Sequence, residues 1–404
     1  MNKYILKLLF FLNVIIIAFI LHFNAFGVNN NYSSSKIKVG ADRIDLYYNK
    51  LKDKNIAIVA NHTSKIGTQS IIDTLKSRGI KIKKIFCPEH GFRGDADAGE
   101  KINNYVDKKT GIPVISLYGN NYKPKLTDLA DIDIIVFDIQ DVGVRFYTYI
   151  STMHYVMEAC AENKIEFIVL DRPNPNGYYV DGPVLKKGFE SFVGMHPVPW
   201  VHGMTVGEYA KMINGQGWLK NALKCNLTVI PIENYTHSTK YVLPIKPSPN
   251  LPNMTSVYLY PSLCIFEGTV ISVARGTDFP FQAYGHPKLK ATEFFFIPRS
   301  IKGAAKYPPY EKQKCFGFDL RNIDEAKLQN TKQINLDYLI NAYKNFPDKS
   351  KFFNSLFDKL AGSKTLKNSI ISGILENKIR ESWANDIAEF KKIRKTYLLY
   401  PDFE

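Results

Sequence analysis

The sequence predicts an α/β fold, with a Rossmann-like parallel-sheet domain over residues 36–240 and a smaller α+β domain over residues 241–404. In the first part, short runs that are apolar on both faces alternate with segments of helical spacing, which is typical of a parallel sheet covered by helices. The second part combines a segment that alternates like β structure with a series of helices. At about 150 residues per domain, a chain of 404 residues is long enough for two domains.

The predicted elements of the first domain follow one another regularly. The apolar, β-branched runs that we expect to be strands are 55–60, 82–87, 114–117, 132–137 and 167–170. Apolar residues at three- and four-residue spacing predict helices at 70–78 and 149–163. Because helices separate consecutive strands, we expect the strands to run parallel.

The second half begins with a proline-rich stretch. Residues 244–261 are dense in proline and predict turns that link the two domains. Residues 263–283 alternate like a β segment and carry Glu267 and Arg275 between apolar residues. These two side chains form either a structural ion pair or a part of the ligand crevice. Four Lys-rich helices are predicted after them, at 336–346, 352–360, 366–375 and 379–398.

The N-terminal segment, residues 1–27, has the features of a targeting sequence. Lys3 and Lys7 precede the apolar run 8–21, and small residues follow it. A membrane-spanning helix needs about 20 apolar residues, which this run barely approaches. We therefore expect a cleaved export signal, with an uncleaved N-terminal anchor as the alternative, followed by a polar linker at 28–35. The expected location is periplasmic, extracellular or attached to the cell envelope.

The net charge of +15 restricts the partners of the chain. Nucleic acid, an anionic membrane or an acidic polymer would each account for an excess of lysine. An exported protein does not normally meet nucleic acid, and membrane contact is expected only through an uncleaved N-terminal segment. An acidic polymer outside the cytoplasm is therefore the favoured partner. Five scattered cysteines without a CxxC pair predict neither a disulfide framework nor a common zinc site.

Polar side chains follow each predicted strand of the first domain. They are Asn61 and His62, Glu89 and His90, Tyr118, Asp138, Gln140 and Asp141, and finally Asp171 and Asn174. The carboxyl ends of parallel strands meet at one edge of a sheet, where ligands bind. The sequence has no GxGxxG and no P-loop motif, so the ligand is not expected to be a nucleotide.

The residue types at these strand ends favour sugar chemistry. Glu89 lies at a strand end, where partial burial raises a carboxyl pKa and suits a general acid. Asp138 or Asp141 would supply the second carboxylate that glycoside hydrolysis usually needs. Tyr147 offers an aromatic face and a hydroxyl, and Arg145 is a fixed cation suited to a carboxylate ligand.

A two-metal hydrolase is an alternative interpretation of the same strand ends. Its ligands would be His62, Glu89, His90, Asp138 and Asp171. No HxH, HxxE or DxD pattern fixes a pair of ligands, so a site without metal is favoured. We expect neither a metal nor another cofactor.

Six motifs in the same order carry a family resemblance. They are CPEHGFRGDADAGE (87–100), FDIQDVGVRFYTYISTM (137–153), LDRPNPNG (170–177), PSPNLP (247–252), FEGT (266–269) and ARGTDFPF (274–281). Together they resemble the peptidoglycan exo-β-N-acetylmuramidases, and the similarity extends from about residue 39 to residue 400. Two positions depart from the pattern, because Ala274 and Lys288 replace an expected glycine and an expected aromatic residue.

The resemblance implies an enzyme that releases N-acetylmuramic acid from the non-reducing end of glycan fragments, in a cleft between two domains. Glu89 matches the catalytic carboxylate of the family. The surrounding motif positions are matched by His90, Asp138, Gln140, Asp141, Arg145, Tyr147, Glu267 and Arg275. The mechanism stays open between attack by water, by a tyrosine and by the N-acetyl group of the substrate. A non-catalytic envelope protein that binds wall fragments is the alternative from another class.

Overall fold

The computed structural model describes residues 36–89, 91–92, 103–119, 121–289 and 293–404. The predictions for residues 1–35 and for His90 lie outside these residues. Ile37–Glu404 form one compact unit, and the domain boundary expected after residue 240 stays a prediction. Within the described part of the chain, no helix is both long and apolar enough to cross a membrane.

A mostly parallel sheet occupies the first half of the chain. The strands there are β1 (Asn55–Ala60), β2 (Lys65–Ile66), β3 (Gln69–Ser70), β4 (Lys81–Cys87), β5 (Tyr105–Val106), β6 (Pro113–Ser116), β7 (Ile134–Asp138), β8 (Glu166–Leu170) and β9 (Asn226–Ile230). Among the described residues, β2 and β3 form a hairpin, and the other seven strands form a sheet in the order β5-β6-β4-β1-β7-β8-β9. Every neighbouring pair is parallel except β5 with β6. The predicted parallel sheet is confirmed.

Both faces of the sheet are buried, which explains why its strands are apolar throughout. In β1, Ile56 and Ile58 belong to the hydrophobic core on one face of the sheet. Ala57 and Val59, which alternate with them, belong to the larger core on the other face. A strand that is covered on both sides has no polar face, so its sequence does not alternate.

Helices lie before, between and after the strands of this sheet. They are α1 (Tyr48–Leu51), α2 (Ile71–Ser77), α3 (Leu126–Leu129), α4 (Tyr149–Asn163), α5 (Val206–Gly215) and α6 (Met254–Leu263). Helix α6 corrects the prediction of turns over 244–261. Its Pro261 cannot donate to the carbonyl of Val257, and Asn176 Nδ2 donates to that oxygen at 3.3 Å instead. A tertiary contact thus satisfies the carbonyl that proline leaves unpaired.

The segment at 263–283 is not the predicted β segment. Cys264–Gly268 form a 3₁₀ helix, turns follow, and a strand begins only at Ala283. Ala274 has φ 60°, in the left-handed region that favours glycine, and it occupies the position where related sequences are expected to have Gly. The alternation of apolar residues misled the prediction because nearly all of them are buried within the turns.

The C-terminal part combines a small antiparallel sheet with helices. Its strands are β10 (Ala283–His286), β11 (Phe295–Phe296) and β12 (Cys315–Asp319), in the order β10-β12-β11. Its helices are α7 (Glu325–Thr331), α8 (Asp337–Asn345), α9 (Phe357–Ala361), α10 (Thr365–Ile371) and α11 (Glu376–Lys395). The predicted second α+β region is confirmed. Helix α11 buries Trp383 and Phe390 and leaves half of its charged side chains exposed.

Candidate active site

A pocket with a cavity volume of about 190 Å³ draws its wall from both halves of the chain. The loops after β4 and β6 contribute side chains, and so do the start of α4, helix α6 and the segment that follows it. The lining residues are Glu89, Tyr118, Phe146, Tyr147, Thr148, Tyr149, Phe192, Val193, Ser248, Asn250, Leu251, Tyr260, Glu267, Arg275 and Phe281. Among the predicted site residues, Glu89, Tyr147, Glu267 and Arg275 therefore share one pocket.

Glu89 lies half-buried in the pocket wall, two residues after β4. Thr148 Oγ1 donates to Glu89 Oε2 at 3.5 Å, and the Tyr118 hydroxyl also hydrogen-bonds to this carboxylate. Burial and the charge of Glu89 raise the pKa of Tyr118, so its hydroxyl keeps the proton that it donates. Two hydroxyl groups thus orient the Glu89 carboxylate.

Glu267 is the second carboxylate among the described residues of the pocket wall. Arg275 Nε donates to Glu267 Oε1 at 2.6 Å, and the two side chains are 22% and 30% exposed. The Arg275 guanidinium also lies 5.0 Å from the centre of the Phe281 ring. Burial lowers the pKa of Arg275, but the Glu267 carboxylate outweighs it and raises that pKa overall. The pair is both an internal ion pair and a part of the pocket wall.

Two predicted residues hold a loop of the pocket by its backbone. The Tyr147 hydroxyl donates to the carbonyl of Pro247 at 2.8 Å, and His62 Nε2 is 2.9 Å from the carbonyl of Lys246. Burial raises the pKa of Tyr147 well above its ordinary value. Ser248, Asn250 and Leu251 of the same loop line the pocket, so Tyr147 and His62 position this part of the wall.

Asp138 and Asp141 do not line the pocket. Asp138 is fully buried, and its Oδ1 accepts from Arg172 Nε at 2.7 Å. Asp141 Oδ2 accepts from the backbone N–H of Gly143 at 2.6 Å, and burial raises the pKa of this carboxyl to about 7. These bonds favour structural roles for both carboxylates, and the catalytic roles expected of them stay predictions.

Arg145 and Gln140 are also directed into the protein. Arg145 is fully buried, and its terminal nitrogens donate to the carbonyls of Pro183, Val198 and Leu360 at 2.7–3.0 Å. Gln140 Nε2 donates to the carbonyls of Asp141 and Pro173 at 2.8 and 2.7 Å. Neither side chain lines the pocket, so their bonds favour a role in holding the fold together.

The remaining predicted ligand residues, Asn61, Asp171 and Asn174, shape the loops behind the pocket. The Asn61 side-chain oxygen accepts from the backbone and side chain of Thr63, which closes a turn after β1. Asp171 accepts from Thr205 Oγ1 and Gly207 N, at the start of α5, and from the Tyr400 hydroxyl. Asn174 Nδ2 donates to the carbonyl of Met204 at 2.9 Å.

The comparisons with known proteins identify the family. The sequence matches the description "Exo-beta-N-acetylmuramidase NamZ, N-terminal" over residues 56–255 and "Exo-beta-N-acetylmuramidase NamZ, C-terminal" over residues 258–400. It is 38% identical, over 391 residues, to the peptidoglycan β-N-acetylmuramidase NamZ of Bacillus subtilis, with 92% of this chain and 93% of that protein covered. The chain belongs to the NamZ exo-β-N-acetylmuramidase family.

Solved structures agree with this membership. A crystal structure of a DUF1343 family protein from Bacteroides fragilis superposes with a TM-score of 0.85 at 46% identity and covers 91% of this chain and 100% of that one. A second DUF1343 family protein from the same organism gives a TM-score of 0.77 at 30% identity, with coverage of 90% and 99%. The fold of this chain is thus shared with experimentally determined structures.

The tertiary structure adds pocket residues that the sequence analysis did not single out. Thr148 lines the pocket and lies within the FDIQDVGVRFYTYISTM motif, so the motif could have identified it as a candidate site residue. Phe192 lies outside every motif, and no pattern in the sequence points to it. Among the described residues, no three His, Cys, Asp or Glu side chains are grouped to hold a metal ion.

Proposed function

We propose that this protein hydrolyses the glycosidic bond of N-acetylmuramic acid at the non-reducing end of peptidoglycan fragments. The observation that carries the proposal is one pocket that contains two carboxylates, Glu89 and Glu267, in a chain of the NamZ family. Paired carboxylates are the usual catalytic groups of glycoside hydrolases. The B. subtilis relative is itself described as a peptidoglycan β-N-acetylmuramidase.

In the proposed reaction, Glu89 is the general acid. Its protonated carboxyl gives its proton to the glycosidic oxygen as the bond between this oxygen and the anomeric carbon breaks. The hydroxyls of Tyr118 and Thr148 keep the carboxyl directed at that oxygen. A positioned acid of this kind contributes about 10²–10⁴-fold to a rate.

Glu267 balances the positive charge that develops on the sugar ring. It forms an ion pair with Arg275, and both side chains line the pocket. We assign the second carboxylate to Glu267 because Asp138 and Asp141 lie outside the pocket wall. Water or the substrate's own N-acetyl group then attacks the anomeric carbon, and water supplies the hydroxyl of the product.

Arg275 is the group that we assign to the lactyl carboxylate of muramic acid. It lines the pocket, whereas Arg145, the other candidate, is fully buried and donates to backbone carbonyls. A guanidinium has five N–H donors, and Arg275 uses its Nε for Glu267. The remaining donors suit a second carboxylate, which distinguishes muramic acid from glucosamine.

We also propose that the protein is exported to the cell envelope, where wall fragments occur. The basic start and apolar run of residues 1–27 support this location. The pocket beside the carboxyl ends of β4 and β6 supports the Rossmann-like interpretation of the sheet. Fusion of residues 1–35 to a reporter enzyme that folds only after export tests the location, and a reporter retained in the cytoplasm would contradict it.

The deciding experiment uses the disaccharide in which N-acetylmuramic acid is β-1,4-linked to N-acetylglucosamine. We expect mass spectrometry to detect both free sugars, and we expect no cleavage of the chitobiose analogue, which lacks the lactyl group. Equal rates on the two substrates would refute lactyl recognition. Saturable binding of the intact disaccharide without release of free sugar would instead identify a non-catalytic binding protein.

A further inference from the structure

A strip of four aromatic side chains extends from the pocket. It consists of Tyr118, Phe192, Tyr122 and Tyr155, and all four rings are half-exposed. Tyr118 and Phe192 line the pocket, whereas Tyr122 and Tyr155 do not. Groups of exposed aromatic rings on a protein surface commonly mark sites of ligand contact. Apart from the Tyr118 hydroxyl, which orients Glu89, this strip has no role in the reaction described above.

The rings of the aromatic strip are packed against one another. The centres of the Tyr122 and Phe192 rings are 4.3 Å apart, and those of Tyr118 and Phe192 are 6.0 Å apart. Tyr155 lies at 17° to the plane of Phe192 and at 22° to the plane of Tyr122. Three rings of similar orientation therefore form one packed aromatic cluster.

Ion pairs hold this cluster in place. Lys123, which follows Tyr122, contacts Glu158 Oε1 at 2.8 Å and Glu162 Oε2 at 2.6 Å. Both glutamates belong to α4, which also carries Tyr155. The loop after β6 is thus fastened to the helix beside it. A surface arranged before a ligand arrives loses less conformational freedom on binding.

The roles proposed for Glu89, Glu267 and Arg275 together give the direction in which the substrate lies in the pocket. A general acid must face the glycosidic oxygen, and that oxygen is bonded to the leaving sugar. Tyr118 hydrogen-bonds to Glu89 and is also the first ring of the aromatic strip. Because the proposed function assigns Glu267 and Arg275 to muramic acid, the leaving sugar on the other side of the glycosidic oxygen is placed toward the strip.

We infer that the aromatic strip binds the leaving sugar, the β-linked N-acetylglucosamine residue on the reducing side of the cleaved bond. The axial C–H groups of this pyranose form an apolar face, which matches an exposed aromatic surface. This inference rests on the proposed function, because it takes the direction of the substrate from the roles of Glu89, Glu267 and Arg275. It identifies the part of the site that recognises the glycan beyond muramic acid.

A binding experiment tests the aromatic strip without relying on turnover. The Glu89→Gln protein is titrated with two ligands, the disaccharide described above and free N-acetylmuramic acid, and the ratio of their Kd values is measured. We expect Tyr122→Ala to reduce the preference for the disaccharide about twofold to twelvefold, the range expected for loss of one aromatic contact. Tyr122→Phe keeps the ring and is expected to keep the ratio.

Tyr155→Ala is the second variant, and it gives an independent answer if Tyr122→Ala does not fold. A ratio that stays at the Glu89→Gln value in the folded alanine variants overturns the inference, as does a failure of Glu89→Gln protein to bind the disaccharide. Failure of the proposed function looks different, because the protein with Glu89 intact would then release no sugar from the disaccharide. A changed ratio would support the strip as a sugar site even in that case.

Discussion

At the scale of single residues, the roles of the acidic side chains are distinguished by their partners. Glu89 receives two hydroxyl donors within the pocket, and Glu267 is paired with Arg275 there. Asp138 is also a carboxylate at the end of a strand, but it is fully buried and ion-paired to Arg172. Residue type and position at a strand end therefore did not distinguish a carboxylate of the pocket from one that supports the fold.

Glu89→Gln is expected to lower kcat on the disaccharide by about 10²–10⁴-fold, because the amide cannot donate the proton to the leaving oxygen. The unfolding midpoint in urea should change little, since the amide still accepts hydrogen bonds. Glu233→Gln is the matched control, because Glu233 forms an exposed ion pair with Lys38. A kcat close to that of the unmodified protein would exclude Glu89 as the acid.

Asp138→Asn is expected to lower the free energy of unfolding by about 3–5 kcal/mol, because it leaves the Arg172 guanidinium buried without its counter-charge. Urea denaturation followed by tryptophan fluorescence measures this change. The kcat of the folded fraction should fall far less than that of Glu89→Gln. A larger loss of kcat with little loss of stability would restore Asp138 as a catalytic candidate.

At the scale of secondary structure, the ends of elements connect distant parts of the chain. The N-cap of α5 is Thr205, whose Oγ1 accepts from Glu208 N at 3.3 Å and donates to Asp171 Oδ2 at 2.7 Å. Glu208 completes the capping box by accepting from Thr205 N at 2.9 Å. This helix start therefore satisfies the buried carboxylate that follows β8.

Thr205→Ala is expected to lower the free energy of unfolding by about 2 kcal/mol, because it removes both the cap and a donor to Asp171. Thr205→Ser retains the hydroxyl, so its free energy of unfolding should fall much less. Asp324→Ala removes the N-cap of α7, which is exposed, and provides a second comparison. If urea denaturation shows the same decrease in the free energy of unfolding for Thr205→Ala and Asp324→Ala, the hydrogen bond from Thr205 to Asp171 adds no stability beyond that of an ordinary cap.

At the scale of the whole molecule, buried ionisable groups affect stability in opposite directions as pH changes. Burial lowers the pKa of His154 to about 4, so the folded protein loses stability as the pH falls from 6.5. Burial raises the pKa of Asp141 to about 7 and, together with Glu208, that of Asp171 to about 7. These two carboxyls make the folded protein less stable as the pH rises from about 4 to about 7.

Asp141→Asn separates one of these contributions from the rest. Between the unfolded carboxyl pKa of 3.8 and the folded pKa of about 7, the folded state holds a proton that the unfolded state has released. In this pH range the unmodified protein loses stability as the pH rises, and the variant does not, because it has no proton at this position to retain. The free energy of unfolding of the variant relative to the unmodified protein should therefore rise with pH by up to about 4 kcal/mol and then level off above pH 7. Urea denaturation at several pH values measures the difference, and a difference independent of pH would contradict the assignment.

Much of the fold was predictable because it depends on patterns that are local in the chain. The run at 55–60 is the observed β1, and the helix predicted at 149–163 is the observed α4. The errors occurred where distant groups decide the conformation. Helix α6 contains Pro261 because Asn176 satisfies the carbonyl that the proline leaves free, and no pattern within 244–261 contains that information.

By itself, the sequence determined the parallel sheet, the α+β region after it, the family, and Glu89 as the leading catalytic candidate. These conclusions rest on hydrophobic spacing and on motifs, which are properties of the linear chain. Only the tertiary structure decided which polar strand ends face the pocket. The reason is physical: a buried polar group is directed by its hydrogen-bond partners, and the partners of Asp138, Arg145 and Asp171 include residues 172, 360 and 400.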